Sequence, residues 1–172
     1  RSLIEAIAQR FAVDRKRIYC TGFSNGGFMS HRLACDHADL IAGIAPCSGV
    51  TFLDPRGHRP SEPVNVMHIH GTVDDVVPYD GGSLGGALFP GAVQTVQIWA
   101  NFNGCQGPVW DDHCSMDLVV DVPGLDTTVM RYTNAPPGGA VELWKIHGVG
   151  HSFQASAFQE KFIDWLLAHP KP

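Results

Sequence analysis

The stretch LIAGIAPC, residues 40–47, carries no charged side chain. It is far short of the roughly 20 residues that a membrane-spanning helix needs. It also lacks the alternation of a strand with one wet face. It therefore reads as a strand covered on both sides, the kind found in parallel sheets. A second apolar run, VNVMHIH, occupies residues 64–70, and a shorter one, RIYCT, occupies residues 17–21. Between RIYCT and LIAGIAPC lies NGGFMSHRLAC, where Phe28, Leu33 and small residues form one packing face of a helix. Helices are also predicted over SLIEAIAQRFAV, AVQTVQIWANF and the closing FQASAFQEKFIDWLLAH; in the first, Leu3, Ile4, Ile7, Ala8 and Phe11 fall at helical spacing. DLVVDV, TVMRYT and VELWKIH read as strands, the last two joined through NAPPGG as a hairpin. The chain from Gly71 to Gly91 reads as irregular and glycine-rich. Strands alternating with helices predict an α/β fold, a mostly parallel sheet flanked by helices, in one domain over residues 1–172.

Charge narrows the partners. A net charge of −5 with no Lys/Arg cluster argues against binding a nucleic-acid backbone. No apolar run is long enough to span a membrane, so a membrane partner is not expected. The five cysteines (20, 35, 47, 105 and 114) contain no C-x-x-C pair and no zinc-ligand spacing. A structural metal is therefore not expected; nor is a cofactor.

The chemistry sits in GFSNGG, residues 22–27, at the predicted junction of strand and helix. G-x-S-x-G at such a junction is a nucleophile elbow, a tight turn that lifts Ser24 Oγ above the sheet. Gly22 and Gly26 are expected because side chains there would collide with the neighbouring strand and helix. The backbone N–H of Asn25, at the helix N-terminus, is placed to stabilise an oxyanion. A serine needs a base and the base an orienting acid, which follow in this fold in the order acid, then histidine. HIHGTVDDVVPY puts Asp74 and Asp75 just beyond an apolar strand, and IHGVGHSF puts His151 in a glycine-containing loop just beyond another. Both loops lie at strand C-terminal ends, where open α/β sheets bind ligands.

Other residues read more plainly. His68 and His70 share one strand face, but two histidines without a further ligand point to strand-end packing rather than to a metal. His31 lies too far along its helix to serve as the base for Ser24. His147 reads as a partly exposed strand-end residue, and Trp99 and Trp144 as core. Trp110, between Cys105 and Cys114, reads either as a substrate contact or as a loop anchor. GGSLGG, residues 81–86, has no lysine and opens no helix, so it is not a phosphate loop.

GFSNGG, RLAC, IAPCSG, HIHGTVDDVVPY, WANFNGC and GVGHSF together resemble, in order, the secreted esterases of the polyhydroxybutyrate-depolymerase and feruloyl-esterase family, of α/β-hydrolase fold. The resemblance implies Ser24 as nucleophile, Asp74 as orienting acid and His151 as base, with Asp75 a solvated neighbour. It implies a serine carboxylic-ester hydrolase acting on hydroxyalkanoate or hydroxycinnamoyl-type esters, small or polymer-linked, outside the cell. A peptidase or thioesterase using the same triad is the alternative among enzymes. A non-catalytic ligand-binding hydrolase fragment is the alternative from another class. Phe153 stands where the family usually has tryptophan and is carried over, with Trp110, as a substrate-binding candidate. The secreted character, with the loop-like chain between them, adds an expected disulfide from Cys105 to Cys114. Family members carry several strands before the elbow, and a loop among them supplies a second oxyanion N–H. This chain shows only a helix there, so the fold is expected to be shortened at its N-terminal side. RIYCT should then have an open edge, to be met by another copy of the chain or by a separate N-terminal segment.

Overall fold

The computed structural model describes residues 1–111, 113–153 and 158–172. The chain runs α1 (Ser2–Ala8), β1 (Tyr19–Phe23), α2 (Asn25–Asp36), β2 (Gly43–Cys47), a 3₁₀ turn (Pro55–Gly57) and β3 (Asn65–Gly71). It continues through β4 (Gly81–Leu84), β5 (Ala87–Pro90), α3 (Ala92–Asn103), β6 (Pro108–Trp110), β7 (Thr127–Tyr132), β8 (Val141–Ile146) and α4 (Phe158–Ala168). Six strands form one sheet in the order β1-β2-β3-β8-β7-β6. The pairs from β1 to β8 are parallel, and β7 runs antiparallel to both β8 and β6. This is the mostly parallel, helix-flanked sheet that the sequence predicts, and β7–β8 is the predicted hairpin.

Every residue of β2 and β3 is buried, because the sheet is covered on both faces. On one face Ile44, Val66, Val141 and Leu143 pack with Ala34 of α2 and with Val96 and Trp99 of α3. On the other, Cys47, Met67, Ile69, Trp144 and Ile146 pack with Trp165 and Leu166 of α4. The period of two along each strand sends successive side chains to opposite helix layers. His68 and His70 fall in phase with Val66, on the α2–α3 face.

Several expectations need correction. The first helix ends at Ala8, where the Arg10 N–H tightens onto the Ile7 carbonyl, and no residue of it is buried. Leu3 is 72% exposed and Phe11 67%. DLVVDV is not a strand. The buried Asp126 carboxylate takes the N–H groups of Leu118 and Val119 and holds them as a loop against the core. The glycine-rich stretch after Gly71 is not wholly irregular, since β4 and β5 pair as a hairpin. Gly85 and Gly86, at φ 57° and 84°, make the tight turn between them, which wants positive φ at both positions. The closing helix is described from Phe158; the part of that expectation at residues 154–157 lies outside the described residues.

The expected Cys105–Cys114 disulfide is absent, and all five cysteines are free thiols. The chain between them contains the edge strand β6 rather than a closed loop. Gln106, beside Cys105, donates its N–H to Thr133 past one end of β7. Cys114 Sγ lies 3.6 Å from Thr128 Oγ1 near the other end. Five residues of strand separate these anchors by roughly 17 Å, and a disulfide spans at most about 7 Å between Cα atoms.

Candidate active site

The strand β1 delivers Ser24 to a turn with φ 55° and ψ −116°, and α2 begins at the next residue. A non-glycine residue at positive φ is strained, and surrounding bonds must hold it. Here the Ser24 N–H donates to the Cys47 carbonyl at 2.9 Å, and the Ser24 carbonyl accepts the N–H groups of Gly27 and Phe28 at 2.8 and 3.1 Å. The turn also needs room. A Cβ on Gly22 would sit 2.4 Å from the Gly26 backbone, and one on Gly49 would sit 2.3 Å from the Ser24 carbonyl oxygen. A Cβ on Gly27 would lie 2.9 Å from the Cys47 carbonyl oxygen. Gly26 departs from expectation, because a Cβ there meets nothing within 4 Å.

These distances make a paired prediction. Gly22→Ala should destabilise the protein by about 3 kcal/mol or more, because the clash is with backbone. Gly26→Ala should change stability by less than about 1 kcal/mol, with a gain in helix propensity on its side. Urea unfolding of the two variants checks this; equal losses would refute the packing account of the elbow.

Two loops bring the partners of Ser24. Beyond β3, the Asp74 carboxylate is buried, and its Oδ1 accepts the N–H groups of Val76 and Val77 at 3.0 and 2.8 Å. Beyond β8, the chain returns past Gly148 to His151. The loops are stitched together: Thr72 N–H donates to the Ile146 carbonyl, Val73 N–H to the Val149 carbonyl, and Gly148 N–H to Thr72 Oγ1. Gly71 permits this approach, since a Cβ on it would come within 2.3 Å of the Val149 carbonyl oxygen. His151 Nε2 then lies 2.9 Å from Ser24 Oγ, and its Nδ1 lies 3.0 and 2.8 Å from Asp74 Oδ1 and Oδ2. A carboxylate only accepts, so His151 carries its proton on Nδ1 and turns the Nε2 lone pair to Ser24. Burial alone would raise the Asp74 carboxyl, but His151 and the Val77 and Val76 N–H groups outweigh it, and the group lies below its ordinary value. Asp75 is exposed. Asn25, as the first residue of α2, has a backbone N–H with no acceptor from a preceding turn of helix, as at any helix start.

Of the two substrate-binding candidates, Trp110 stands far from this site. Trp110 is on β6, the edge opposite β1 and five strand spacings away, roughly 24 Å. Phe153 packs against the cluster on the α4 side of the sheet. An aromatic ring against His151 is that of Phe23, with ring centroids 4.9 Å apart and 47% of the residue exposed. Its position inside G-x-S-x-G was a readable signal, because the residue before the nucleophile shares the elbow. Next to the elbow opens a cleft of about 500 Å³, walled by Asn25 and Phe28 of α2, Phe52 and Leu53 of the loop after β2, and Leu88 and Phe89 of β5. His147 receives or donates a 2.7 Å bond with Thr128 Oγ1 and stays outside the triad. Among the described residues no cluster of three metal-ligating side chains occurs, and no helix is long and apolar enough to cross a membrane.

Residues 1–88 match the model of the phospholipase/carboxylesterase family. Over 160 residues the chain is 34% identical to feruloyl esterase B of Piromyces equi, covering 88% of this chain and 28% of that protein. Over 77 residues it is 36% identical to the bifunctional acetylxylan esterase/xylanase XynS20E of Neocallimastix patriciarum, covering 45% of this chain and 11% of that one. The chain thus spans well under half the length of these relatives. Its fold is similar to that of the acetyl xylan esterase from Aspergillus awamori, with a TM-score of 0.55, 14% identity, and coverage of 94% of this chain and 66% of that one.

Proposed function

The chain belongs to the phospholipase/carboxylesterase family, with an α/β-hydrolase fold, and on that premise we propose that it is a serine carboxylic-ester hydrolase working through an acyl-enzyme. The observation that carries this is the continuous hydrogen-bond path from Ser24 Oγ through the His151 ring to the buried Asp74 carboxylate. In the first half-reaction Ser24 Oγ attacks the ester carbonyl carbon while His151 Nε2 takes the hydroxyl proton. The tetrahedral oxyanion forms against the Asn25 N–H. His151 then gives the proton to the departing alcohol, leaving the acyl group on Ser24. Water, deprotonated by the same Nε2, releases the acid in the second half. Asp74 remains ionised throughout; it holds the His151 tautomer and stabilises the imidazolium that forms.

The cleft beside the elbow supports an apolar acyl group of aromatic size, since Phe28, Phe52, Leu53, Leu88 and Phe89 face it. Hydroxycinnamoyl-type esters fit that description, and an extracellular address, with polymer-linked esters as substrate, belongs to the same reading. A series of p-nitrophenyl esters tests it. Release from an arylpropenoyl ester should exceed that from acetate by about 10-fold or more in kcat/KM, because each buried CH₂ contributes about 0.8 kcal/mol. A preference for acetate would overturn the cleft assignment. Release no faster than from Ser24→Ala would overturn the hydrolase reading.

A further inference from the structure

Beneath the triad lie three histidine rings that the mechanism does not use. His31, His68 and His70 are each wholly buried on the α2–α3 face of the sheet. Their protons can be assigned from the groups at either end. The Val77 carbonyl can only accept, so the His70 nitrogen 2.8 Å from it, Nε2, carries a proton. That leaves His70 Nδ1 as an acceptor, and His68 Nε2, 3.1 Å away, is its donor. Trp99 Nε1 can only donate, so His31 Nδ1, at 2.8 Å, accepts. The His31 and His68 rings stand 5.6 Å apart between their centroids. Loss of solvent drives all three toward the neutral form, His31 down to about 3.

The Val77 carbonyl is not an incidental acceptor. Its own residue's N–H is one of the two that hold Asp74 Oδ1. His70 Nε2 also stands 3.3 Å from Asp74 Oδ2. A ring of contacts therefore closes from carboxylate to Val77 N–H, from Val77 carbonyl to His70 N–H, and back to the carboxylate. A proton on Nδ1 instead would turn the Nε2 lone pair onto two acceptors.

We propose that His70, oriented by His68, is a positioning residue for the triad: its Nε2–H pins the Val77 carbonyl and so keeps the Asp74 carboxylate aimed at His151 Nδ1. The kinetic consequence rests on the hydrolase reading, whereas the tautomer does not. His70 is wholly buried and does not line the cleft beside the elbow, so its removal should act on turnover and spare substrate binding.

The test compares His70→Leu, which fills space without a donor, with His70→Gln, whose amide can still donate to the Val77 carbonyl. His70→Leu should lower kcat by about 10–100-fold with KM within about twofold, the scale expected when a group aiding the chemistry is displaced by about 1 Å. His70→Gln should recover most of that loss. An unchanged kcat in folded His70→Leu, or equal losses in the two folded variants, would overturn the proposal. Nitrogen-15 NMR of the wild-type protein needs neither turnover nor a stable variant. It should find His70 neutral with the proton on Nε2; a proton on Nδ1, or an imidazolium near neutral pH, would overturn the proposal even for an inactive chain.

Discussion

Ser24→Ala and His151→Ala should each lower ester turnover by roughly 10⁴–10⁶-fold, and the double variant should be scarcely slower than either. The reason is that Ser24 Oγ and His151 Nε2 stand 2.9 Å apart and, in the proposed mechanism, perform one step together. Without the hydroxyl, the base has no proton to take; without the base, the hydroxyl stays a poor nucleophile. Asp74→Asn is the informative third change. Its side chain keeps the size of the carboxylate but can present an N–H to His151 Nδ1, which favours the tautomer with the proton on Nε2 facing Ser24. A loss of about 10⁴-fold in kcat is expected from that reversal. Steady-state kinetics on the three single variants and the Ser24/His151 double variant checks this. Losses that multiply in the double variant would mean that the residues act independently.

Acid should unfold this protein earlier than its carboxylates alone would cause. His31 is wholly buried, and burial lowers it from 6.5 to about 3. The folded-state value is the depressed one, so its contribution is complete above about pH 6.5 and declines as the pH falls toward the folded value. At pH 5 the unfolded chain has taken up a proton that the native His31 refuses, which removes about 2 kcal/mol. His68 is held well below its ordinary value by burial, then by His70 and His31, and acts with the same sign. Burial lowers His70 too, against the Val77 carbonyl and Asp74, and it adds in the same direction. Single domains are stable by only about 5–15 kcal/mol, so the combined loss is a large share of the total. Urea titrations at pH 7, 6 and 5 should show stability falling with the uptake of more than one proton. A flat profile across that range would contradict the buried-neutral assignment of these rings.

Much of this site was legible because its parts sit where apolar strands end. LIAGIAPC had no polar face and VNVMHIH no charged residue, so parallel strands under two helix layers were the physical solution, and loops at the strand C-terminal ends were where the chemistry could gather. G-x-S-x-G carries its own steric reason at Gly22, although the space is tight at Gly27 and Gly49 rather than at Gly26. The misplacements share a cause, namely partners distant in sequence. DLVVDV has the period of a strand, yet the Asp126 carboxylate claims the Leu118 and Val119 amides before a neighbouring strand can. The β4–β5 hairpin was signalled by Gly85 and Gly86, but its flanks are too short and glycine-rich to alternate visibly. Trp110 pairs opposite Met130 on an edge strand, and only the sheet order reveals its distance from Ser24. His68 and His70 were read as strand-end packing. Their bonds to each other and to Val77 depend on the turn at Asp74, which periodicity does not describe.

Covalent capture tests whether Ser24 is a nucleophile activated by His151, without knowledge of the natural substrate. An aryl alkylphosphonate mimics the charge and shape of the acyl-transfer transition state and stays on the serine that attacks it. Intact mass followed by peptide mapping should find one adduct per chain, on the peptide bearing Ser24. The adduct should be absent from Ser24→Ala and strongly slowed in His151→Ala. No adduct on the folded wild-type chain, or one carried by another residue, would contradict the account.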